Sequence, residues 1–481
     1  MNAPLRRLAA MTLVMSLLLM GSVTWIQFFQ AGRLNNDPRN VRTLYREFGN
    51  ARGPIVVAGA AVASSVPVDD SFGYQRQYAD GPLWSSVTGF YGITGRTGLE
   101  QSTNSYLTGK SDQLFFSRVR DLLTGGSPQG ASVETTLLPA AQKAAIDALG
   151  DQQGAVVAIE PSTGKILALV STPGFDPNQL ASHDTAAASA YYQQLLAADG
   201  NPLRTKAYQD IYAPGSTFKL VVATAALQAG TYTADSTLPA PTSLALPGTS
   251  ATIGNFGGGG CGSNPITLAD ALRVSCNTAF AQLGMDLGET ALHDQAAKFG
   301  FDDANLAIPM SVATSRFPSG LTQAQVAQSS IGQYSVTASP LQMAMVTASI
   351  ANGGTLMKPY LVDTVRAADL SVVSTTSPQV YSQPMSAGTA STLTSMMLGV
   401  VTGGSGKAAQ IPGVQVAGKS GTAEVPNNAP NAWFTAFAPA DSPKVAVAVL
   451  VLHGGNLNDE ATGGKVAAPI AKAVMQAVLG R

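Results

Sequence analysis

The longest uniformly apolar stretch of the chain lies at its start. After Arg6 and Arg7 no charged side chain occurs until Arg33, and residues 8–29 are dominated by Leu, Met, Val and Ala. A helix of this length can span the roughly 30 Å of bilayer hydrocarbon, with the paired arginines on the cytoplasmic side. A cleaved signal peptide is the alternative, but no clear A-x-A cleavage site is present. We therefore predict a cytoplasmic tail at 1–7, a single-pass anchor at 8–29 and an extracytoplasmic remainder.

Two regions that differ in the pattern of their apolar residues follow the predicted anchor. Residues 33 to about 130 contain short apolar runs punctuated by Gly, Ser and Asp, which predicts a small, strand-rich module. The segment 125–130 (Gly-Gly-Ser-Pro-Gln-Gly) is the clearest candidate linker. We place the first module at 30–131 and a second domain at 132–481.

In the second domain, segments with the helical spacing of apolar residues alternate with apolar runs typical of strands. Helical spacing begins near Pro139, and the apolar runs 155–159 and 166–170, joined by a polar turn, predict a hairpin. An apolar strand at 445–452 and a helix at 467–479 end the chain. Because strands lie at both ends of a segment with a helical middle, we predict an α/β layered domain with one sheet whose edges come from the termini of the domain.

The composition of the chain argues against nucleic-acid binding and against metal or cofactor chemistry. Charged residues make up 12% of the chain, which is about half the usual fraction, and the net charge is −1. This balance gives no electrostatic basis for binding nucleic acid. The three histidines lie far apart in sequence and the two cysteines lack zinc-site spacing, so we predict neither a metal nor a cofactor.

The segment Ser216-Thr217-Phe218-Lys219 precedes an apolar helical run. Residues i and i+3 are neighbours on a helix, so Lys219 can reach the hydroxyl of Ser216, and the positive end of the helix dipole favours negative charge on that oxygen. Burial would lower the pKa of Lys219 and let it accept the proton. The simpler alternative is a serine N-cap followed by a solvated lysine. A second Ser-x-x-Lys at 162–165 falls in the predicted hairpin turn, where the two side chains need not share a face.

The segment Ser275-Cys276-Asn277 could supply a proton relay and an amide. Ser275 could pass protons near Lys219, and the amide of Asn277 could bond the peptide backbone of a substrate. Without context a helix cap or turn explains such a triplet equally well. The other Ser-x-Asn, at 102–104, lies in the first module and therefore far from Ser216 in the chain.

A third segment, Lys419-Ser420-Gly421-Thr422, has the pattern of an edge strand. Lys419 and the hydroxyls of Ser420 and Thr422 could hold a substrate carboxylate, and Gly421 would permit close approach of a ligand to the backbone. The backbone N–H groups of Ser216 and Thr422 would form an oxyanion hole, worth roughly 3–4 kcal/mol per donor in acyl transfer. An exposed lysine in a turn is the alternative.

Taken in this order, the three motifs make the chain from about residue 132 onward resemble the penicillin-binding protein transpeptidases. Upstream, residues 37–40 (Asp-Pro-Arg-Asn) and 52–55 (Arg-Gly-Pro-Ile) are similar to the pedestal of class B members, and the length is most similar to the penicillin-binding protein A type of actinobacteria. Ser420 is a departure, since the family usually has threonine there. The supporting segments are 154–168, 212–219 (Tyr-Ala-Pro-Gly-Ser-Thr-Phe-Lys), 330–333 (Ser-Ile-Gly-Gln), 351–354 (Ala-Asn-Gly-Gly), 419–424 (Lys-Ser-Gly-Thr-Ala-Glu), Trp433-Phe434 and Phe437-Ala438-Pro439.

The resemblance implies a central antiparallel sheet with helices, preceded by a pedestal and one transmembrane helix. It also implies a peptidoglycan D,D-transpeptidase in which Ser216 attacks the penultimate D-Ala carbonyl of a stem peptide and is acylated by β-lactams. The roughly 100 residues before the transpeptidase domain cannot contain a glycosyltransferase domain. The expected polymerising partner is therefore a membrane-embedded glycosyltransferase of the shape, elongation, division and sporulation class. A D,D-carboxypeptidase, a β-lactamase, a β-lactam sensor and a non-catalytic scaffold are the rival functions.

Cys261 and Cys276 are the two cysteines of the chain. A disulfide between them would close a loop of about 15 residues, stabilise the fold by roughly 3 kcal/mol and fix the backbone that carries Asn277. Two buried free thiols are the alternative. An oxidising compartment outside the membrane makes the bond permissible, and we predict that it forms.

Overall fold

The computed structural model describes residues 2–30, 48–115 and 129–481. The predicted linker at 125–130 lies mostly outside these residues, and the pedestal signature at 37–40 lies wholly outside them. By the pattern of contacts the chain divides into two compact units, one comprising residues 1–51 and 66–75 and the other comprising residues 52–65 and 76–481.

The first unit contains the apolar helix. An α-helix spans Asn2–Thr24 and continues as a π-helical turn, Trp25–Phe29. The segment Ala3–Phe29 is long and apolar enough to cross a membrane. The side chains of this segment are exposed in the structure. This helix coincides with the predicted anchor at 8–29.

The pedestal is built around a six-stranded sheet. Its order from edge to edge is Val372–Thr375, Val362–Arg366, Ser132–Thr135, Ile55–Val57, Ala60–Pro67 and Tyr74–Tyr78. The strand Ser132–Thr135 pairs parallel with Ile55–Val57 and antiparallel with Val362–Arg366. Residues far along the second predicted domain thus complete the sheet of the first, and the predicted boundary at 131/132 falls at the start of a shared strand.

A buried ion-pair cluster supports the pedestal. The carboxylate of Glu100 accepts from Arg52 Nη2 at 2.7 Å and from Arg76 Nε at 2.6 Å, and all three side chains are almost fully buried. Burial alone would raise the pKa of Glu100, but the charges of Arg76 and Arg52 outweigh burial and hold it below its ordinary value. Removing either arginine would leave a buried charge poorly compensated, which is strongly destabilising.

The catalytic domain contains a five-stranded antiparallel sheet. Its order is Ala417–Val425, Asn428–Ala438, Val445–Val451, Gly154–Ile159 and Ile166–Thr172. Every neighbouring pair is antiparallel. This arrangement confirms the prediction of one central antiparallel sheet. The last strand of the chain, Val445–Val451, lies in the middle of the sheet and pairs with Gly154–Ile159, so the expectation that it forms an edge is wrong. The central strand Val445–Val451 and its neighbour Gly154–Ile159 are fully buried, as expected for strands covered on both faces.

Helices cover both faces of this sheet. Pro139–Leu149 and Ala468–Leu479 pack together on one face, and Pro340–Ala351 packs on the other beneath the remaining helical region. Ser339 caps the latter helix by accepting from the N–H of Gln342, with Pro340 in its first turn. Among the described residues, the remaining α-helices of eight residues or more are Gly81–Thr88, Thr185–Ala197, Lys219–Gln228, Asn277–Leu287, Glu289–Lys298 and Ala387–Gly403.

Candidate active site

The turn that carries Ser216 runs directly into an apolar helix. Gly215–Phe218 forms a 3₁₀ turn, here called the nucleophile turn, and Lys219–Gln228 continues it as α-helix. Gly215 adopts φ +53°, a conformation that favours glycine. Ser216 is partly exposed, whereas Thr217, Phe218 and Lys219 are buried. The serine is therefore the side chain of this turn that a ligand can reach.

Three separate segments hold the nucleophile turn in place. The indole Nε1 of Trp433 donates to the carbonyl of Ala213 at 3.0 Å, and the N–H of Gly215 donates to the carbonyl of Gly332 at 3.0 Å. On a third side lies the strand Ala417–Val425, here called the edge strand, where a Cβ on Gly421 would stand 3.0 Å from the carbonyl oxygen of Pro214. A side chain at position 421 would therefore push the edge strand away from the turn.

The second and third motifs meet the first at two buried amines. Lys219 Nζ donates to Asn277 Oδ1 at 2.7 Å and to the carbonyl of Ser275 at 2.8 Å, and lies 3.4 Å from Ser275 Oγ. Lys419 Nζ donates to Ser275 Oγ at 2.8 Å and to the carbonyl of Ser420 at 2.7 Å. The hydroxyl of Ser275 thus contacts both amines, so the three motifs that are separate in sequence form one polar centre.

The surroundings of both amines favour their neutral forms. Burial lowers the pKa of Lys219 well below its ordinary value, and the positive charge of Lys419 lowers it further. Burial lowers the pKa of Lys419 to about 7. The oxygen atoms that bond the two amines belong to hydroxyl, amide and carbonyl groups, none of which carries a compensating charge. A neutral amine close to a serine hydroxyl is equipped to act as a general base.

Ser275 sits on strained backbone. It ends the helix Leu268–Val274 with φ +62° and ψ +42°, a left-handed conformation that costs a non-glycine residue about 1–2 kcal/mol. The next residue, Cys276, is disulfide-bonded to Cys261, and their Cα atoms lie 5.6 Å apart. Strained backbone of this kind persists where the surrounding structure over-determines it, and it clusters at functional sites.

The edge strand presents backbone groups to the nucleophile turn. A Cβ on Gly215 would stand 2.6 Å from the carbonyl oxygen of Thr422, so this carbonyl faces the turn. In a strand the N–H and C=O of one residue point to the same side, and the N–H of Thr422 therefore faces the turn as well. This geometry supports the predicted oxyanion hole, in which the N–H groups of Ser216 and Thr422 both contact one oxygen.

The second Ser-x-x-Lys, at 162–165, and the second Ser-x-Asn, at 102–104, make contacts that stabilise the fold. Lys165, in the hairpin turn, pairs with Asp363 at 3.0 Å and is about one-third exposed. Asn104, in the pedestal, accepts from Arg52 Nη1 at 2.7 Å. Among the hydrogen bonds of the described residues, neither Ser162 nor Ser102 is bonded to an amine, whereas the hydroxyl of Ser275 contacts two.

Comparisons with known proteins agree with this geometry. A family model described as penicillin binding protein transpeptidase domain matches residues 154–476, and one described as penicillin binding protein A dimerisation domain matches residues 52–133. The peptidoglycan D,D-transpeptidase PbpA of Mycolicibacterium smegmatis is 44% identical over 100% of this chain and 99% of the relative. Its counterpart in Mycobacterium tuberculosis is 43% identical over the same shares. The chain belongs to the penicillin-binding protein transpeptidase family.

Solved structures of this class B family extend the match to the fold. Penicillin-binding protein A of M. tuberculosis as a ceftriaxone acyl-enzyme complex superposes with a TM-score of 0.88 at 42% identity, covering 90% of this chain and 100% of that one. The penicillin G acyl-enzyme complex of the same protein gives a TM-score of 0.85 at 43% identity, covering 89% and 100%. The predicted layered transpeptidase domain with its pedestal is therefore confirmed.

Two polar residues near the site of this penicillin-binding protein, Asn255 and Ser405, were not predicted from the sequence. Asn255 contacts the backbone at the start of the helix Asn277–Leu287, and Ser405 Oγ lies 2.6 Å from Ser420 Oγ. Both lie in Gly-rich loops, 254–260 and 403–406, where an isolated Asn or Ser is unremarkable. Only the fold brings them to the motifs, so no local pattern in the sequence indicates them.

Gly332 offers a test of how tightly the nucleophile turn is held. Gly332 and Gly320 share φ +73°, but a Cβ at 332 would stand 2.0 Å from the carbonyl oxygen of Gly215, whereas the described residues leave open space at 320. Gly320→Ala should cost only the strain of the left-handed conformation, about 1–2 kcal/mol. Gly332→Ala should cost more and also slow acylation by penicillin. Thermal unfolding and acylation rates check this, and equal effects of the two substitutions would contradict it.

Proposed function

We propose that this protein is a peptidoglycan D,D-transpeptidase that acts through an ester on Ser216. The observation that carries the proposal is the buried pair of amines, Lys219 and Lys419, which both contact the hydroxyl of Ser275, with Lys219 three residues after Ser216 in the same turn and helix. Their lowered pKa values supply a base without a histidine. The full-length similarity to proteins named D,D-transpeptidases supports the same activity.

Acylation uses the neutral form of Lys219. The amine takes the proton of the Ser216 hydroxyl, and Oγ attacks the carbonyl carbon of the penultimate D-Ala of a donor stem. The N–H groups of Ser216 and Thr422 stabilise the negative oxygen of the tetrahedral intermediate. The bond to the terminal D-Ala then breaks, and its nitrogen receives a proton through the hydroxyl of Ser275, which bonds both amines. The acyl group is left as an ester on Ser216.

Deacylation repeats these steps with a new nucleophile. An amine of a neighbouring stem loses a proton through Ser275 to Lys219 and attacks the ester carbonyl. Collapse of the second intermediate breaks the ester bond, Lys219 returns the proton to Ser216 Oγ, and a new amide cross-link is left. Asn277 orients Lys219 and the donor peptide, while Lys419, Ser420 and Thr422 recognise the terminal carboxylate. β-Lactams acylate the same serine, in keeping with the acyl-enzyme complexes of the M. tuberculosis relative.

The apolar N-terminal helix supports a proposal about where this reaction occurs. We propose that the helix Ala3–Phe29 spans the cytoplasmic membrane once and leaves the catalytic domain outside, where peptidoglycan lies. Glycan strands then come from a separate membrane-embedded glycosyltransferase of the shape, elongation, division and sporulation class. Co-purification of that polymerase with the full chain, but not with a chain whose anchor helix has been exchanged, tests this pairing.

Intact-mass analysis of the full chain in detergent, with penicillin G, tests the proposed nucleophile. Wild type should gain the mass of one penicillin, and Ser216→Ala should gain none. An adduct that persists for hours identifies a transpeptidase or carboxypeptidase, whereas rapid turnover would identify a β-lactamase. Incubation with a donor stem peptide and an acceptor amine then separates cross-linking from hydrolysis. A folded wild type without adduct at high drug concentration would point to a non-catalytic scaffold.

A further inference from the structure

The helix that carries Asn277 begins without a cap of its own. Asn277–Leu287 follows directly on Cys276, whose side chain makes no capping hydrogen bond. The sulfur of Cys276 is committed to the disulfide with Cys261. The first N–H groups of an α-helix have no partner within the helix and need an acceptor from elsewhere. At this helix the acceptor comes from a residue more than twenty positions earlier in the chain.

Asn255 supplies that acceptor. Its Oδ1 accepts from the N–H of Asn277 at 2.9 Å and from the N–H of Thr278 at 3.2 Å, and it lies 3.4 Å from the hydroxyl of Thr278. Its Nδ2 donates to the carbonyl of Gly259 at 3.2 Å. Because donors surround one end of the amide and an acceptor lies at the other, the orientation of the Asn255 side chain is determined at both ends.

The residue before Asn255 orients the side chain of Asn277. The carbonyl of Gly254 accepts from Asn277 Nδ2 at 3.1 Å, which turns Asn277 Oδ1 toward Lys219 Nζ at 2.7 Å. Gly254 ends a short strand, Thr252–Gly254, that pairs with Ser243–Ala245. Asn255 thus fixes the backbone of Asn277 while its neighbour fixes the side chain, and Asn277 in turn fixes the amine of Lys219.

We propose that Asn255 is a positioning residue for catalysis, acting as a remote N-cap that holds Asn277 and, through it, the amine of Lys219. Asn255 bonds neither Lys219 nor Ser275 among the hydrogen bonds of the described residues. Because Asn255 acts through the position of Asn277 and Lys219, we expect its main effect on the acylation step, with a smaller effect on initial binding of the ligand. The kinetic half of this inference rests on the proposed function, whereas the capping half does not.

Acylation kinetics of the full chain in detergent, with nitrocefin as the probe, test the kinetic half. Asn255→Ala should lower the first-order acylation constant about 10- to 100-fold, the size of loss that a displacement of about 1 Å can cause. The dissociation constant of the initial complex should stay within about twofold. Asn255→Asp keeps an oxygen acceptor, which helix N-termini favour, and should recover most of the rate when each variant is measured at its own pH optimum. The added negative charge should also shift its pH–rate profile to higher pH by raising the pKa of Lys219.

Asn264→Ala is the matched control. Asn264 also accepts a backbone N–H, that of Ala240 at 2.9 Å, within the same part of the chain. It makes no hydrogen bond to residues 275–278 in the described structure. A loss of acylation rate in Asn264→Ala equal to that in Asn255→Ala would overturn the proposal, because general loosening of the loop would then explain both. Equal rates in Asn255→Asp and Asn255→Ala would overturn it as well.

Hydrogen exchange of the wild type tests the capping half without any variant. The amides of Asn277 and Thr278 should exchange slowly, since both donate to Asn255 Oδ1. Rapid exchange at both amides in the folded protein would overturn the proposal even if Asn255→Ala fails to fold. Slow exchange in a wild type that penicillin does not acylate would refute the proposed function while leaving the cap intact, so the two failures are distinguishable.

Discussion

Replacing Lys219 with methionine should lower the rate of Ser216 acylation by a β-lactam about 10²–10⁴-fold, the usual contribution of a positioned general base. Lys219 is fully buried, and its amine contacts both the carbonyl and the hydroxyl of Ser275. Methionine fills a similar volume without an amine, so the substitution removes the base and leaves the packing largely intact. Stopped-flow acylation and intact mass after long incubation measure the loss.

Lys165→Met is the matched control for this prediction. Lys165 belongs to the other Ser-x-x-Lys of the chain and pairs with Asp363 on the surface. Its replacement should leave acylation at the wild-type rate. An acylation rate for Lys219→Met within about tenfold of wild type would contradict the assigned role of Lys219. Lys419, the other amine that contacts Ser275, would then be the better candidate for the base.

The sequence predicted the elements that depend on local pattern. The hairpin at 155–170, the helix that starts at Pro139 and the terminal strand and helix all lie within two residues of their predicted ends. Each carries its own hydrophobic period and its own turn or capping residues, so neighbouring residues suffice to indicate it. The edge position of Lys419–Thr422 was predicted on the same basis.

Contacts between distant segments were not predictable in this way. Val362–Arg366 and Val372–Thr375 join the pedestal sheet although more than two hundred residues separate them from Ser132–Thr135. In the same way, Asn255 reaches Asn277 only because the loop that contains it folds back across the start of a helix. Such pairings depend on the three-dimensional path of the chain, and neither periodicity nor turn chemistry encodes that path locally.

In the candidate site, too, the residue types were predictable from the sequence and the contacts between distant segments were not. The three motifs indicated which residues carry the chemistry, and we expected burial to lower the pKa of Lys219. The sequence did not indicate that the second amine, Lys419, is also fully buried, or that both amines contact one hydroxyl, that of Ser275. Burial of Lys419 depends on how the edge strand packs against the nucleophile turn, which is a property of the assembled sheet.

The two buried lysines should also make the stability of the protein depend on pH. An unfolded lysine has its ordinary pKa near 10.4. In the folded protein burial lowers the pKa of Lys419 to about 7, and burial together with the charge of Lys419 lowers that of Lys219 well below its ordinary value. Between the folded and unfolded pKa values the unfolded state binds more protons. The free energy of unfolding should therefore rise with pH from about 7 to about 10, by up to about 1.4 kcal/mol per pH unit for each lysine.

Lys219→Met isolates one of these contributions. The pKa of Lys419 is lowered by its own burial, so removing Lys219 leaves that contribution in place. Denaturant unfolding between pH 7 and 9.5 should give Lys219→Met a flatter rise than wild type and a higher free energy of unfolding at pH 7, because no amine remains at position 219 to be desolvated. Lys165→Met should follow the wild-type slope in this range. A Lys219→Met slope parallel to wild type would mean that Lys219 stays charged in the folded protein, and a neutral amine could then not be the base that activates Ser216.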